Sequence, residues 1–287
     1  MNRRTFLFAS TAAGLTSSRF AAGQRLPIRK SVEFDMLPKE LSFTERFRMA
    51  RDAGFEQIEC PTMTDDRAAE DAKKAAEIAG LRIHSVMNQS HWQYPLSSSD
   101  AEVAAKCVEG VKTSLRNAHF WGADTVLLVP AVVNATTTYG DAWIRSQEQI
   151  RRLMPIAEEL KVIIGIEEVW NKFLLSPLEF ARYIDEFRSP WIRAYFDVGN
   201  VVMFGYPQDW IRTLGARIVK LHIKDFRFEN DVVNWTPLRE GTVDWPAVHQ
   251  ALADIDYHGS ATTELPGGDA DYLRDVSRRF DLILSGA

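Results

Sequence analysis

Short apolar runs alternate with longer helical patterns from residue 29 to the end of the chain. This alternation is typical of βα units, because two parallel neighbouring strands need a crossover helix between them. The chain holds eight such units, without an internal linker or low-complexity segment. The predicted strands are 30–34, 57–60, 81–86, 125–129, 163–167, 194–197, 219–222 and 261–264. The predicted helices are 43–53, 67–79, 100–121, 142–160, 177–187, 207–214, 245–255 and 273–284.

Eight βα units favour one architecture within the α/β class, a (β/α)₈ TIM barrel in a single domain. The length of 287 residues agrees with this fold, since such a barrel typically needs about 250 residues. A doubly wound open sheet is the alternative. It is disfavoured because no glycine-rich phosphate loop follows the first predicted strand.

The composition is that of an ordinary globular protein, with 46% hydrophobic and 25% charged residues. The formal net charge of −5 gives no basic surface for nucleic acid, and it argues against an anionic membrane surface as a partner. The two cysteines, Cys60 and Cys107, match neither a zinc site nor a disulfide framework. We interpret them as buried thiols.

Residues 1–23 have the pattern of a twin-arginine export signal. Arg3 and Arg4 precede a short apolar stretch, and residues 21–23 supply the small side chains at which signal peptides are cleaved. The apolar stretch is too short to span a bilayer as a helix, so we expect no stable membrane insertion. The pattern predicts recognition by the twin-arginine export machinery and a mature domain, residues 24–287, in the periplasm. A disordered basic N-terminus is the alternative.

Four of the predicted strands end in a side chain that can bind a metal ion. These side chains are Glu167, Asp197, His222 and Glu264. The carboxyl ends of the strands meet at one mouth of a parallel barrel, so we expect the four groups to surround one divalent cation. Charged groups at such buried ends are costly unless they are paired or coordinated. For each residue taken alone, a strand-end salt bridge or a core histidine is the alternative interpretation.

Three carboxylates and one imidazole form a mostly hard ligand set, which favours Mn²⁺, with Mg²⁺, Co²⁺ or Zn²⁺ as alternatives. Side-chain alternation along a strand distinguishes neighbouring candidates. In the fifth strand the bulky aliphatic residues share the face that packs under helices, so Glu167 points into the barrel and Glu168 points outward or into the loop. The sixth strand is less regular, because Asp197 shares its parity with Tyr195.

Several motifs resemble the xylose-isomerase-like TIM-barrel superfamily of sugar and sugar-phosphate isomerases and epimerases. Members of that superfamily include D-tagatose 3-epimerase and hydroxypyruvate isomerase. The resemblance covers nearly all of residues 29–285. It is carried by residues 54–59 (GFEQIE), 166–168 (IEE), 196–200 (FDVGN), 222–225 (HIKD) and 241–245 (GTVDW) and by Glu264.

The resemblance implies a metal-dependent enzyme, a sugar isomerase or epimerase that acts on a ketose-like sugar. Glu167 and Glu264 would bind the metal and flank the substrate, one abstracting a proton next to a carbonyl and the other returning it. The metal would hold the carbonyl and its neighbouring hydroxyl and stabilise a cis-enediolate. Two bases on opposite faces permit epimerisation, whereas one base that moves the proton between neighbouring carbons gives aldose–ketose isomerisation.

Two positions depart from the pattern of the family's epimerases. Asn200 stands where they carry a second histidine, three residues after the metal-binding aspartate, and an amide cannot take up a proton. Arg227 is displaced by one position from the arginine that follows their metal histidine. The alignment can also slip in the fifth strand, so that Glu168 is the ligand, since Asn171 follows three residues later. Strand parity favours Glu167.

The loops after the strands are expected to bind the substrate. In the long loop after the third strand, the indole face of Trp92 suits a sugar ring and the His91 imidazole can donate to a hydroxyl. A lid packed for its own sake, or local salt bridges, are the alternatives at these positions. The predicted substrate-binding residues are Glu59, His91, Trp92, Asn200, Lys224 and Arg227.

Other functions compete with the isomerase or epimerase. An exported lyase or hydrolase of oxidised (3-keto) glycosides would use the same metal site and proton abstraction. A non-catalytic sugar-binding barrel would not need both Glu167 and Glu264. An endonuclease acting on abasic DNA shares the barrel but needs a histidine-rich zinc cluster, which the six histidines and the acidic net charge disfavour. We expect a small-molecule sugar as substrate, one divalent metal ion as cofactor and no nucleic acid; a homo-oligomer is compatible with the sequence.

Overall fold

The computed structural model describes residues 24–229 and 232–287, which form a closed barrel of parallel strands surrounded by helices. The barrel strands are β1 (Arg29–Glu33), β2 (Gln57–Pro61), β3 (Arg82–Met87), β4 (Thr125–Leu128), β5 (Ile163–Ile166), β6 (Ile192–Asp197), β7 (Ile218–Ile223) and β10 (Ser260–Thr263). They are hydrogen-bonded in chain order, and β10 closes the barrel onto β1. The predicted TIM barrel is therefore confirmed.

The helices lie between the strands, on the outside of the barrel. They are α1 (Phe43–Asp52), α2 (Asp66–Ala79), α3 (Ser90–Gln93), α4 (Ala101–Trp121), α5 (Tyr139–Leu160), α6 (Pro177–Asp185), α7 (Pro207–Leu214), α8 (Trp245–Asp254) and α9 (Ala270–Leu284). None of these described helices is long and apolar enough to cross a membrane. The predicted export signal, residues 1–23, lies outside the described residues and stays a prediction.

Local signals in the sequence set several helix ends. Ser42 and Glu45 form a reciprocal capping box at the start of α1, as the position of Ser42 predicts. Gly80 and Gly122 end α2 and α4 with φ angles of 67° and 71°, a left-handed conformation that glycine adopts without a steric penalty. Helix α5 begins earlier than predicted, because Thr138 caps it by accepting a hydrogen bond from the Asp141 amide.

One element was not predicted from the sequence, an antiparallel hairpin between β7 and α8. It consists of β8 (Asp225–Glu229) and β9 (Val232–Thr236) and stands outside the barrel sheet. The buried carboxylate of Asp225 anchors the segment after it, accepting hydrogen bonds from the Arg239 amide at 2.9 Å, the Gly241 amide at 3.1 Å and the Trp245 indole at 2.9 Å. The hairpin positions aromatic side chains at the mouth of the barrel.

Side-chain alternation gives the strands an apolar exterior and a largely polar interior, with Met87 and Leu127 as apolar interior residues beside the cavity. The exterior residues Ile164 and Ile166 of β5 are fully buried in the core under the helices. Inside the barrel, a Cβ atom at Gly165 would lie 3.1 Å from the Cβ of Tyr195, so this glycine makes room for the tyrosine. Strands β5 and β10 end one residue before Glu167 and Glu264, which places both side chains at the rim of the mouth.

Candidate metal and acid–base site

The four predicted ligands converge at the carboxyl end of the barrel. Nδ1 of His222 lies 2.9 Å from Oε1 of Glu167, 3.0 Å from Oε2 of Glu264 and 3.8 Å from Oδ2 of Asp197. One potential ligand atom from each residue lies within 4.8 Å of the other three. This spacing allows a single divalent cation to contact all four, with three oxygen donors and one nitrogen donor.

Asp197 is held so that one oxygen faces the other ligands and the Lys224 ammonium. Its Oδ1 accepts hydrogen bonds from the amides of Gly199 at 2.8 Å and Asn200 at 2.9 Å. Its Oδ2 is buried and forms an ion pair with Nζ of Lys224 at 2.6 Å. Among the described residues, no donor makes a well-aligned hydrogen bond to it. A buried carboxylate oxygen in this position suits a cation.

Glu59 lies beneath His222 rather than on the wall of the cavity. Its carboxyl group is fully buried, and Oε1 lies 2.9 Å from Nε2 of His222. Its Oε2 accepts hydrogen bonds from the hydroxyls of Ser85 and Tyr195. When Nε2 of His222 donates to Glu59, the Nδ1 lone pair faces the site, which is the arrangement a metal-binding histidine needs. Glu59 was predicted to bind the substrate, but it does not line the cavity and instead orients the His222 ring.

Two irregularities in the strand ladders lie beside the residues under His222. The register between β2 and β3 shifts between Ile58 and Glu59, and the register between β6 and β7 shifts between Ala194 and Tyr195. Each shift adds one residue to the partner strand, His84 in β3 and Val219 in β7. Glu59 and Tyr195 themselves face the interior by ordinary side-chain alternation.

Burial and neighbouring charges separate the acidities of the two candidate bases. Burial raises the pKa of Glu167 to about 7, against the opposing effect of His222. Glu264 is only half-buried; partial desolvation raises its pKa, but Lys224 and His222 outweigh that effect and hold the pKa below the ordinary range. Burial alone lowers the pKa of His222, and the surrounding carboxylates, Glu264 foremost, raise it well above 6.5. Two carboxyl groups with pKa values pushed apart are typical of acid–base pairs.

The side chain of Glu168 lies outside the ligand cluster. Its Oε1 accepts a hydrogen bond from the Asp197 amide at 3.0 Å, and its backbone carbonyl accepts one from the Asn200 side chain at 2.9 Å. Burial, followed by the charges of Asp197 and Glu167, raises the pKa of Glu168 well above its usual value. Glu167, which strand parity favoured, is the residue of this pair that faces His222.

A cavity of about 470 Å³ opens above the cluster. Of the predicted site residues, its wall includes Glu167, Glu264, His91, Trp92, Asn200 and Lys224. Most of the remaining wall is apolar or aromatic, with Trp170 and Trp235 in stacked contact at a centroid distance of 5.9 Å. Such a cavity, apolar with a few convergent polar groups, has the character of a small-molecule site.

His91 presents a neutral imidazole to this cavity. Burial lowers its pKa to about 3. Its Nδ1 accepts a hydrogen bond from the Val129 amide at 3.3 Å and lies 3.1 Å from Nδ2 of Asn88. The proton therefore sits on Nε2, which is available to donate. The neighbouring Trp92 is 59% exposed and contacts the His91 ring edge-on.

Lys224 and Arg227 have different surroundings. Nζ of Lys224 contacts the carboxylates of both Asp197 and Glu264, and it lies 5.4 Å from the centroid of the Trp235 ring. Arg227 is exposed on β8, donates to the Glu240 carbonyl at 2.8 Å and does not line the cavity. The alternation along β8 buries Phe226 and turns Arg227 away from the mouth, so its predicted contact with substrate has no support in this geometry.

Sequence reasoning missed one acidic residue of the cavity, Glu33 at the end of β1. It shares parity with the interior residue Ser31 and ends a strand, as the four ligands do. The same parity argument would have found it. Trp235 also lines the cavity, and it stands there because β9 of the hairpin carries it.

The sequence profile of the xylose isomerase-like TIM barrel family matches residues 47–281. The chain belongs to this family. L-ribulose-5-phosphate 3-epimerase of Escherichia coli O1:K1 is 25% identical over 260 residues, which cover 83% of this chain and 90% of the relative. The predicted membership is thereby confirmed.

Solved structures of the same fold cover most of this chain. A D-tagatose 3-epimerase-like protein superposes with a TM-score of 0.77 at 16% identity, covering 89% of this chain and 95% of that one. An L-ribulose 3-epimerase superposes with a TM-score of 0.74 at 19% identity, covering 88% and 93%. At these identities the likeness concerns the barrel itself.

Proposed function

We propose that this protein is a divalent-metal-dependent isomerase or epimerase of a ketose-like sugar. The observation that carries the proposal is the convergence of Glu167 and Glu264 on the same imidazole nitrogen, at 2.9 Å and 3.0 Å. They come from β5 and β10, which β6 and β7 separate around the barrel. Two carboxyl groups that approach one metal position from different strands are suited to proton transfer on two sides of a substrate.

The ligand set supports a hard divalent cation, and we propose Mn²⁺. When bound, such a cation supplies Lewis-acid stabilisation for the negative charge that develops on a carbonyl oxygen. Glu167 or Glu264 accepts the proton from the carbon next to the carbonyl, and the other carboxyl group returns a proton. His91 offers an Nε2–H to a substrate hydroxyl, and the aromatic wall excludes water from the reacting carbons.

The names of the curated relatives support the epimerase alternative, since the Escherichia coli protein is an L-ribulose-5-phosphate 3-epimerase. Asn200 still separates this chain from the epimerase pattern, because its amide donates to the Glu168 carbonyl and cannot carry a proton. The proposal therefore covers both isomerisation and epimerisation.

Solvent exchange tests the proposal. The purified protein is stripped of metal, reloaded with Mn²⁺ and incubated in D₂O with a panel of free ketoses, and deuterium at the carbons next to the carbonyl is followed by NMR. We expect metal-dependent exchange that Glu264→Gln lowers by at least about 10²-fold. Glu77→Gln, which changes an exposed glutamate on α2, serves as the matched control. No exchange into any ketose by the metal-loaded protein would refute the proposal.

A second function uses the same groups, cleavage of an oxidised (3-keto) glycoside after proton abstraction. The specific observation in its favour is the extended aromatic wall, where Trp92, Trp170 and Trp235 are partly exposed and offer faces to a second ring. Product analysis distinguishes the two functions. Release of a free sugar or aglycone from a 3-keto glycoside favours the lyase, and interconversion of ketoses without cleavage favours the isomerase or epimerase.

A further inference from the structure

Glu33 occupies the same rim of the barrel as the ligand cluster. Val32, the preceding residue of β1, pairs in register with Thr263 of β10, so Glu33 lies beside Glu264 on the neighbouring strand. On its other side Glu33 pairs in register with Glu59 of β2. Its side chain is half-buried and lines the cavity.

The carboxyl group of Glu33 has no obvious structural task. Among residues 24–229 and 232–287, no side chain or amide makes a hydrogen bond or ion pair with it, and it is not one of the four residues of the potential metal group. A half-buried carboxyl group that makes no hydrogen bond or ion pair with the described part of the chain is free to bind a ligand. The cavity is the side from which a partner can reach it.

The charges on the cavity wall restrict what that partner is. The described acidic residues on the wall are Glu33, Glu167 and Glu264, whereas Lys224 is the only described lining residue with a positive charge. The Lys224 ammonium is already engaged by the carboxylates of Asp197 and Glu264. A phosphate ester carries a charge of about −1.5 to −2 and requires cationic or amide donors. With a divalent cation bound, the charges of Glu167 and Glu264 are offset, but the described wall still has no free cationic donor for a phosphate. An uncharged hydroxyl suits Glu33 better.

We propose that Glu33 is a specificity-determining residue that hydrogen-bonds a hydroxyl of the sugar and selects an uncharged ketose against its phosphate ester. This inference rests on the proposed function, since it concerns the same cavity. It assigns the substrate class by the charge of the wall, and it contrasts this chain with the curated relatives that are named for a phosphorylated ketose.

A matched pair of probes tests the proposal, L-ribulose and L-ribulose 5-phosphate, which differ only in the phosphate. Both are titrated into the Mn²⁺-loaded protein while the intrinsic tryptophan fluorescence is recorded, because Trp92, Trp170 and Trp235 line the cavity. We expect the wild-type protein to bind L-ribulose at least about 10-fold more tightly than its phosphate.

Variants at residue 33 connect this preference to the carboxyl group. Glu33→Ala removes the hydrogen bond, and we expect about 10- to 100-fold weaker binding of L-ribulose. Glu33→Lys places a cation on the wall, and we expect the preference to reverse towards the phosphate. Asp35→Asn, which changes an exposed carboxylate two residues away, is the control and should leave both affinities unchanged. Thermal unfolding of each variant verifies that it is folded.

Wild-type protein that binds the phosphate as tightly as the free sugar overturns the proposal, as does wild-type protein that binds neither. Unchanged affinities in folded Glu33→Ala and Glu33→Lys overturn it as well. The proposed function fails separately, through the absence of solvent exchange. If the protein exchanges deuterium into a ketose but substitutions at Glu33 leave both affinities unchanged, the proposed function stands and this inference is refuted.

Discussion

Oε1 of Glu59 lies 2.9 Å from Nε2 of His222 in the fully buried interior of the barrel. The opposite ring nitrogen, Nδ1, faces Glu167 and Glu264. A carboxylate that fixes one nitrogen of a ligand histidine determines which nitrogen remains for the metal. Glu59 therefore belongs to the candidate metal site, although it does not line the cavity and is not one of the four potential ligands.

Glu59→Gln is expected to weaken metal binding by about 10- to 100-fold, because a neutral amide accepts the Nε2–H hydrogen bond less strongly and fixes the ring and tautomer of His222 less firmly. Calorimetric titration of the metal-free protein with Mn²⁺ measures the effect. Glu159→Gln, at an exposed position of α5, is the matched control. An affinity for Mn²⁺ equal to that of the wild type would show that Glu59 does not orient the histidine.

Metal affinity is expected to rise with pH. The carboxylates around His222 raise its pKa well above 6.5 in the metal-free protein, so a metal ion must displace a proton from Nδ1. Between about pH 7 and the raised pKa of His222, each pH unit should increase the affinity for Mn²⁺ by about 10-fold, with about one proton released per ion. Below pH 7 the release should increase, because the pKa of Glu167 is about 7. Titrations at several pH values, in buffers of different ionisation enthalpy, count the protons. Release of no proton would contradict the expectation.

The contribution of His222 to the stability of the metal-free protein should fall as the pH rises. A histidine whose folded-state pKa lies above its ordinary value of about 6.5 stabilises the fold fully below that pH. The contribution is lost as the pH rises through the raised folded-state pKa of His222. Urea unfolding of the wild type and of His222→Gln across this range isolates the contribution, which should vanish in the variant.

The hairpin depends on Asp225. Replacing it by alanine leaves the amides of Arg239 and Gly241 and the indole of Trp245 without their acceptor. We expect Asp225→Ala to lower the free energy of unfolding by about 3 kcal/mol, since hydrogen bonds to a charged group are among the stronger ones. Urea denaturation measures the loss. A change below about 0.5 kcal/mol, the level of an ordinary surface substitution, would contradict this role.

Trp235 is expected to contribute to substrate binding rather than to proton transfer. It stacks on Trp170 at the cavity wall. For the ketose that undergoes exchange, Trp235→Ala should raise KM by about 10-fold, or roughly 1.4 kcal/mol, with little change in kcat. Phe120→Ala, which removes an exposed aromatic side chain on α4 outside the cavity, is the control. A fall in kcat at unchanged KM would assign Trp235 to the chemistry instead.

Export is tested at the N-terminus. We propose that residues 1–23 direct the folded protein to the twin-arginine machinery and the periplasm. Replacing Arg3 and Arg4 together by lysine should retain the protein in the cytoplasm, and immunoblots of separated cell fractions measure its distribution. The single change Thr16→Ser is the control. Equal periplasmic amounts of the wild type and the double variant would rule out this route.

Much of the fold and the ligand set could be predicted from the sequence, because both depend on local periodicity. The alternation of strands and helices predicted the barrel, and side-chain alternation favoured Glu167 over Glu168. The carboxyl ends of parallel strands meet at one mouth whatever the details of packing. The gathering of Asp197, His222 and Glu264 with Glu167 follows from that rule.

The depth of each interior side chain was decided by tertiary structure alone. Periodicity indicates whether a side chain points into the barrel, but the register between strands decides how far it lies from the mouth. The pairing of Glu59 with Ser85 and of Tyr195 with Lys220 sets the depth of both residues, which contact His222 from below. Two other contacts join segments that are distant in the sequence. Lys224 pairs with Asp197, and Trp235 of the hairpin stacks on Trp170. The sequence determined which groups meet, and the closed barrel decided which of them bind, orient or face the cavity.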